Sequence, residues 1–432
     1  MNESGSAIDQ WLRDRLTRPR VTFLCGGYLL CQLLIFLYAV TIPGMEDRLG
    51  FVRGRDLHQF YISGRMVERG ESHRLYDHQY FSATQYEMTP INETNREKRP
   101  PYFSLYPPTM ALVFSLPAKL SYEAFVVLGW LWTVGGYLLA ARWIKQDLEP
   151  LGQWRLAAWL GILGFHSALV MLWNCQFSWL WMLGFLACFR LRRRHQDFSA
   201  GLCLSLLTLK PQFAAAAVLW LLLRPAWRTL AGLLSGFVAQ AAVVAAILGP
   251  SIWSDYFIGA RIYSKMSALY QFDPEYQQAI LGIIQGVLGS KQFWLCRGLF
   301  LTTVVFACAA AFRIFRRSSS DHRREESAVI LLVLLAVPHL LIYDLGLLLI
   351  PIGHLLTLHR DRPADFPLWP AVMLYGLTMI APLYRHVPGF SLVPLAMLVT
   401  LSCLAYRWST THFGNSANGQ VPDPGSCLNG AS

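Results

Sequence analysis

The first long apolar stretch runs from Val21 to Ile42 and has the sequence VTFLCGGYLLCQLLIFLYAVTI. It is long enough to cross the roughly 30 Å hydrocarbon core of a bilayer as one helix, and too long for a cleaved signal peptide. Four arginines precede it, at positions 13, 15, 18 and 20. Because basic residues favour the cytoplasmic flank of a membrane helix, we expect residues 1–20 in the cytoplasm and residues 43–107 outside.

Composition extends this interpretation to the whole chain. Of 432 residues, 54% are hydrophobic and 15% charged, and apolar runs recur as far as Tyr406. We therefore predict an all-α, polytopic integral membrane protein with about twelve membrane segments. The net charge of +11 arises from short basic clusters between apolar runs, which is typical of cytoplasmic loops and not of nucleic-acid binding. The nine cysteines contain no Cys-x-x-Cys pair, so neither a disulfide framework nor a zinc site is expected.

The organisation that follows has one transmembrane region, residues 21–406, with external loops at 43–107 and 249–290. Residues 407–432 are rich in Gly, Ser and Asn, so we expect a disordered cytoplasmic tail. In the first external loop, apolar residues fall at helical spacing from Asp56 to Arg69 and again from Asp77 to Tyr86. This pattern predicts two amphipathic helices lying on the membrane surface.

Two apolar stretches, Phe198–Leu223 and Ala328–Leu358, have basic residues at both ends and a polar break within. The breaks are Lys210-Pro211-Gln212 and Pro338-His339. Since both ends of each stretch have cytoplasmic character, we predict two hairpins of short helices whose breaks point outward. Broken backbone at membrane depth requires protein or a water-filled cavity around it.

On this topology the polar interruptions all fall on the external side, which predicts a single cavity open to that side. The interruptions are Asp56, Asn174 to Gln176, Lys210 to Gln212, residues 249–290, His339 with Asp344, and Arg385-His386.

A carboxylate stands among arginines just after the first apolar run, in Arg53-Gly54-Arg55-Asp56-Leu57-His58-Gln59-Phe60-Tyr61. Two interpretations of Asp56 remain open on the residues alone. It is either a reactive group, such as a general base, or a surface residue paired with Arg53 or Arg55. Lys210 is likewise either an anion-binding group or a lysine that snorkels at a helix end.

The ordered set of motifs resembles glycosyltransferase family 87. The matching residues are Asp56, Tyr61, Gly64-Arg65, Gly70, Leu75-Tyr76-Asp77, Tyr106-Pro107-Pro108, Leu116-Pro117, Gln176, Lys210-Pro211-Gln212, Pro338-His339-Leu340 and Tyr343-Asp344-Leu345. Two features depart from the family pattern. Cys175 stands where the family often has Gly, and the polar insert from Glu87 to Pro101 has no counterpart that we can place.

The resemblance implies a bundle of the GT-C class and an inverting hexosyltransferase. Such an enzyme takes its sugar, most often mannose, from a polyprenyl-monophosphate carrier and places it on a lipid or glycan acceptor outside the cytoplasm. The family's essential carboxylate falls on Asp56. We expect Lys210 and His339 to bind the leaving phosphate, helped by helix N-termini after Pro211 and Pro338.

Further substrate-binding candidates are Arg55, Arg65, Gln176, Gln212, Tyr343 and Asp344. Asp344, about one turn beyond His339, is a candidate to orient the imidazole ring or to act at the acceptor. Gln176, Tyr343 and Asp344 have the alternative role of hydrogen-bonding neighbouring helices. No metal ligands stand at metal-binding spacing, so we expect neither a metal nor another cofactor.

Two other functions compete with the transferase. A transporter or lipid flippase of the cell membrane also uses broken helices and intramembrane charges. A non-catalytic scaffold in envelope assembly is the third possibility, and it requires Asp56 to be dispensable.

Overall fold

The computed structural model describes residues 2–42, 44–88, 104–266, 277–289, 291–317, 321–381 and 391–416. Within these ranges the chain is helical, and the one β contact is an isolated bridge between Glu46 and Val52. The all-α prediction is therefore confirmed. Arg385-His386 and most of the 87–101 insert lie outside the described residues.

We number the α-helices in chain order. They are α1 Asn2–Arg15, α2 Arg18–Val40, α3 Arg55–Glu68, α4 His78–Met88, α5 Pro108–Ser115, α6 Tyr122–Asp147, α7 Arg155–Leu163, α8 His166–Asn174, α9 Ser178–Arg193, α10 Asp197–Leu204, α11 Pro211–Leu223, α12 Trp227–Leu248, α13 Ser251–Met266, α14 Ile280–Leu288, α15 Phe293–Arg317, α16 His322–Ala336, α17 Leu349–Asp361, α18 Trp369–Met379 and α19 Val393–Ser416. Short 3₁₀ helices occupy Ser72–Arg74, Pro117–Lys119, Glu149–Trp154, Ser205–Leu209 and Ile342–Leu348.

In the described part of the chain, six helical stretches are long and apolar enough to cross a membrane. They are Arg18–Val40, Tyr122–Asp147, Gly152–Asn174, Trp227–Leu248, Phe293–Arg316 and Ile342–Asp361. Shorter apolar helices are Asp197–Leu209, Pro211–Leu223 and Val393–Tyr406. The protein is thus a polytopic membrane protein, as predicted.

The two broken stretches return to the side from which they start. In the first, Asp197 at the start of α10 lies 3.7 Å from Arg192 of α9. Arg224, just after the end of α11, lies 3.0 Å from Glu325. Arg192 itself is 3.6 Å from Glu325, so both ends of this hairpin meet one cluster. In the second, Arg323 at the start of α16 contacts Asp361 at the end of α17 at 2.7 Å. Both breaks therefore point to the opposite end of the bundle.

That basic end and the break end are separated by the length of a helix. Helix α9 begins at Ser178 near the breaks and ends at Arg193, which donates to Glu326 at 2.8 Å and lies 3.5 Å from Asp147. Arg193 follows Ser178 by fifteen residues, about 22 Å along the axis of α9. Ion pairs at the basic end thus lie one helix length from the groups at the breaks.

Glycines allow helices α10 and α12 to pack with their backbones in contact. A Cβ added at Gly201 would collide with the carbonyl oxygen of Thr229, and one added at Gly232 would collide with that of Phe198. Small residues at helix crossings are the usual means of close packing in membranes, where dispersion and not the hydrophobic effect drives association. This crossing fixes the first hairpin, and hence Lys210 at its break.

Helix α3 differs from the expected surface helix. It forms almost where predicted, but Leu57 to Gly64 and Met66 are all buried. Its apolar face packs against α5, and Phe60 stacks on Phe114 with ring centroids 5.1 Å apart. Polar residues on its other faces, including His58 and Gln59, are covered as well. The amphipathic pattern located the helix correctly, but protein covers its polar face as well as its apolar one. Its position at the membrane surface stays a prediction.

Candidate active site

The position of Asp56 is fixed by the loop that precedes α3. Asp47 accepts hydrogen bonds from the backbone N–H groups of Leu49 and Phe51 and from Nε1 of Trp173, the last at 3.0 Å. The hydroxyl of Tyr122 donates to the carbonyl of Arg53 at 2.6 Å. These bonds join the loop to two membrane helices, so Asp56 is held at a defined place in the first turn of α3.

Helix α3 starts through a glycine in the left-handed conformation. Gly54 has φ of 61°, and an added Cβ would lie 3.2 Å from the Sγ atom of Cys175. Cys175 is itself left-handed, with φ of 51°, and ends α8. The turn at Gly54 and the turn at Cys175 are therefore in contact, which brings Gln176 beside Asp56.

Gln176 is the first direct partner of Asp56. Its Nε2 donates to Oδ2 of Asp56 and, at 3.2 Å, to the hydroxyl of Tyr343. The side chain is 2% exposed, so its amide cannot exchange these partners for water. Asp56 is thus hydrogen-bonded by a neutral amide from the α8–α9 turn, and Arg53 is not its partner.

Lys210, at the first break, faces Asp344, at the second. Its Nζ donates to both carboxylate oxygens of Asp344, at 2.7 and 2.6 Å, and the two side chains are 6% and 0% exposed. Ser178 donates to the same carboxylate at 2.8 Å. Lys210 is therefore a buried, paired cation and does not snorkel to an interface.

Tyr343 links the pair to Asp56. Its ring centroid lies 5.1 Å from Nζ of Lys210, while its hydroxyl bonds Gln176. Tyr106, just before α5, is half-buried in the same place. Burial and then the charge of Asp56 raise the pKa of Tyr106, while a hydrogen bond with Gln176 lowers it. The structure thus gathers five segments that are far apart in the sequence.

The pKa of the Asp56 carboxyl is raised above its ordinary value. The largest cause is desolvation by the surrounding protein, and hydrogen bonds from Gln176 and Tyr343 and the charges of Lys210 and Arg55 oppose it. A carboxylate that is costly to keep ionised is a stronger base than an exposed one, which suits proton abstraction near neutral pH.

His339 is a poorer cation than the sequence led us to expect. Burial, followed by the charge of Lys210, lowers its pKa to about 4, and Asp344 opposes the shift only in part. The imidazole is therefore neutral at pH 7. A neutral ring can still donate one hydrogen bond to a phosphate oxygen.

The geometry changes one expectation about helix starts and meets another. α16 ends at Ala336, and the next helical stretch begins only at Ile342, four residues after Pro338. No helix therefore starts directly after Pro338, whereas α11 does begin at Pro211. Proline at the first position of α11 suits a helix start because its missing N–H has no acceptor there.

The arginine candidates and Gln212 lie at different distances from Asp56. Arg55 is adjacent, with its guanidinium 3.2 Å from the centroid of Phe51. Arg65 follows Asp56 by nine residues, about 13 Å along α3. It pairs with Glu68 at 3.0 Å. Gln212 is half-buried in the first turn of α11. Arg65 is thus not brought to the site.

Two residues near the site escaped the sequence reasoning. Ser178 follows Gln176 by two positions and starts α9. A serine at a helix start, beside a polar break, could have been predicted to contact the site. Tyr106 belongs to the Tyr-Pro-Pro motif, but no role of its own was predicted for it from the sequence.

Within the described ranges, no three His, Cys, Asp or Glu side chains are grouped as a metal site requires. The metal independence expected from sequence stays a prediction.

A bundle of membrane helices with a carboxylate, amide and lysine network at one end fits an enzyme that acts at a membrane surface. The sequence profile of glycosyltransferase family 87 matches residues 104–338, more than half of the chain. The chain belongs to glycosyltransferase family 87, and it is a membrane glycosyltransferase. Searches of curated proteins and of solved structures found no match.

The matched range contains Tyr106, Gln176, Lys210 and Gln212 and ends at Pro338. Asp56 precedes it, and His339, Tyr343 and Asp344 follow it directly. The match to the family therefore does not include Asp56. The hydrogen bond between Gln176 and Asp56 is what joins the carboxylate to the matched part of the chain.

Proposed function

We propose that this glycosyltransferase moves a hexose, in the first place mannose, from a polyprenyl-monophosphate carrier to an acceptor hydroxyl outside the cytoplasm, with inversion and with Asp56 as general base. The observation that carries the proposal is the partly exposed Asp56 carboxylate, with raised pKa, held by Gln176 and Tyr343 beside the Lys210–Asp344 pair.

The distribution of charge supports the proposed side of the membrane. Arg190, Arg192, Arg193, Arg224 and Arg323 cluster at the end of the bundle remote from Asp56. Arginine-rich ends of membrane proteins usually face the cytoplasm, which supports a site on the opposite side, that of a cell membrane's outer leaflet. Nucleotide sugars do not occur there, which favours a lipid-borne donor.

In the proposed reaction the acceptor oxygen attacks the anomeric carbon while Asp56 takes its proton. The new oxygen–carbon bond forms as the bond between the anomeric carbon and the phosphate oxygen breaks, and polyprenyl phosphate leaves with the negative charge. In this proposal Lys210 and the neutral imidazole of His339 stabilise that charge. Because Asp344 already binds Lys210, the donor phosphate has to share the ammonium with this carboxylate.

The test uses purified protein in liposomes, synthetic polyprenyl-phosphate sugars labelled in mannose, glucose or arabinose, and membrane glycolipids as acceptors. We expect label to move to a glycolipid, with the anomeric configuration opposite to that of the donor, and to do so equally in EDTA. Label that stays on the carrier contradicts transfer, retained configuration contradicts single displacement, and rescue by Mg²⁺ after EDTA contradicts metal independence. Movement of intact carrier across the bilayer without transfer would support the flippase alternative.

The raised pKa of Asp56 predicts a particular pH dependence. A general base must be ionised, so kcat/KM should fall as the pH decreases through the Asp56 pKa, at a pH above the ordinary aspartate value of 3.8. Gln176→Leu removes a donor that stabilises the carboxylate, and we expect the acid limb to move to higher pH. Gln79→Leu, on the exposed part of α4, is the control and should leave the limb in place. An unchanged limb in Gln176→Leu would argue against Asp56 as the titrating base.

A further inference from the structure

Helix α13, Ser251–Met266, follows the membrane helix α12 after a short turn and folds back against it. Nε1 of Trp253 donates to the carbonyl of Ala241 at 3.2 Å, and its ring meets that of Phe237 edge to face at 6.1 Å. Ala241 lies seven residues before the end of α12, about 10 Å along its axis. Since α12 is about 33 Å long, little more than the hydrocarbon core, Trp253 contacts it at a level within one leaflet.

The side of α13 that faces away from the protein is mainly apolar. Phe257, Ile258 and Ile262 are 62%, 59% and 44% exposed, and Ser254 and Arg261 share this side. Large apolar side chains exposed together are unfavourable in water and mark a contact surface. The mixture suits a membrane interface, where apolar side chains enter the acyl chains and an arginine extends towards phosphate headgroups.

The neighbouring part of α12 faces lipid at the same level. Val243 and Ile247, which follow Ala241, are exposed on a helix that is long and apolar enough to cross a membrane. Trp253 holds the start of α13 against this part of α12. Lipid that covers Val243 and Ile247 therefore also reaches α13, and the apolar surface of the spanning helix continues onto it.

The opposite side of α13 packs on a residue that leads to the active site. The rings of Tyr256 and Tyr76 are 5.4 Å apart, and a Cβ added at Gly259 would lie 3.0 Å from that of Tyr76. The hydroxyl of Tyr76 donates to the carbonyl of Tyr106 at 2.9 Å. Tyr106 in turn is hydrogen-bonded to Gln176. A short series of contacts thus joins α13 to the amide that holds the catalytic carboxylate.

We propose that α13 is an interfacial helix, embedded in the membrane leaflet on the side of Asp56, with Phe257, Ile258 and Ile262 among the phospholipid acyl chains. Through Tyr76 it holds the Tyr106 segment of the active site at the level of that leaflet. The first part is independent of the reaction. The second part rests on the proposed function, in which both substrates reach Asp56 from the membrane.

Fluorescence quenching measures the insertion of α13 without catalysis. A fluorescent amino acid replaces Ile258 in the full chain, in liposomes of phosphatidylcholine with brominated acyl chains. The same amino acid at Val243 is the lipid-exposed control, and at Gln196, exposed in the turn between α9 and α10, it is the aqueous control. We expect quenching at position 258 close to that at 243 and several-fold stronger than that at 196.

A second position guards against a local disturbance by the label. Phe257 lies on the same exposed side, so a label there should be quenched as well. Thermal unfolding in detergent shows whether each labelled protein is folded. Quenching at positions 257 and 258 as weak as at 196, in folded protein, would overturn the insertion of α13.

Tyr76→Phe tests the connection to the active site. It keeps the ring against Tyr256 and removes the hydroxyl that donates to Tyr106. With polyprenyl-phosphate mannose in liposomes, we expect kcat/KM to fall about 3- to 10-fold, the effect of one lost hydrogen bond. The acid limb of its pH profile should move to higher pH, because Gln176 is then held less firmly on the Asp56 carboxylate. Quenching at position 258 should not change.

Tyr80→Phe, near the start of α4, is the matched control and should keep the wild-type rate and pH profile. Wild-type transfer and an unshifted acid limb in Tyr76→Phe would overturn the connection and leave the insertion of α13 intact. Wild-type protein that is quenched at position 258 but transfers no sugar would overturn the proposed function, and with it the connection, while the insertion of α13 would stand.

Discussion

Asp56→Asn should fold and purify like the wild type yet lose transfer activity by about 10²–10⁴-fold, the usual contribution of a general base. The amide is nearly isosteric with the carboxylate but cannot accept the proton of the acceptor hydroxyl. Stability should not suffer. The protein raises the pKa of Asp56, so ionised Asp56 costs folding energy at neutral pH, and an uncharged side chain removes that cost. Transfer rate and detergent thermal unfolding, measured together, separate the two effects.

Asp77→Asn is the matched control for this substitution. Asp77 is exposed in the same segment between α2 and α5 and accepts hydrogen bonds from the backbone N–H groups of Gln79 and Tyr80 at the start of α4. Asparagine caps a helix about as well as aspartate, so this variant should keep both activity and stability. Wild-type activity in Asp56→Asn would remove Asp56 from the reaction and favour a purely structural role.

Asp344→Asn should lower the free energy of unfolding by about 3–5 kcal/mol, the typical result of removing one member of a buried ion pair. Lys210 would keep its charge at 5% exposure and lose the carboxylate that accepts both of its hydrogen bonds. We therefore expect a much lower thermal unfolding temperature in detergent. Lys210→Met should also destabilise the fold and, in addition, weaken donor binding.

The double variant Lys210→Met with Asp344→Leu tests the origin of that loss. Replacing both charges by apolar groups leaves no unpaired ion, so most of the stability should return while activity stays low. A double-mutant cycle, with Lys210→Met and Asp344→Leu also measured as single variants, gives the coupling between the two side chains. If the losses in free energy of unfolding were strictly additive, Lys210 and Asp344 would not be coupled, and each residue would stabilise the fold independently.

The sequence contained enough information to locate the site. A Lys-Pro-Gln break and a Pro-His break, each inside an apolar stretch with basic ends, predicted two hairpins that point the same way. Ion pairs of Arg224 with Glu325 and of Arg323 with Asp361 agree with that topology. The positions of Asp56 and Gln176 followed from the same alternation of spans, because polar residues in membrane segments gather around shared cavities. Tyr343 was named only through the resemblance to the family.

The sequence did not reveal which side chains pair with each other or how deeply α3 is buried. Lys210 was predicted to bind a phosphate, and the structure adds a counter-charge, Asp344, that lies 134 positions away; no local pattern reveals such a pairing. Helix α3 was placed on the membrane surface because an amphipathic period reports one apolar face and says nothing of what covers the polar one. The pairing of Arg65 could have been predicted from the sequence, since Glu68 stands three residues later, within ordinary helical pairing distance.

The wide spacing of the site along the chain also bears on biogenesis. Gln176 and Tyr343 are 167 positions apart, and Lys210 meets Asp344 only after α16 has been synthesised. A ribosome-bound chain that has released α11 but not the second hairpin therefore carries an uncompensated lysine at membrane depth. Insertion intermediates of this length should be the ones that chaperones and membrane proteases recognise, and catalytic competence should appear late in synthesis, as a single step.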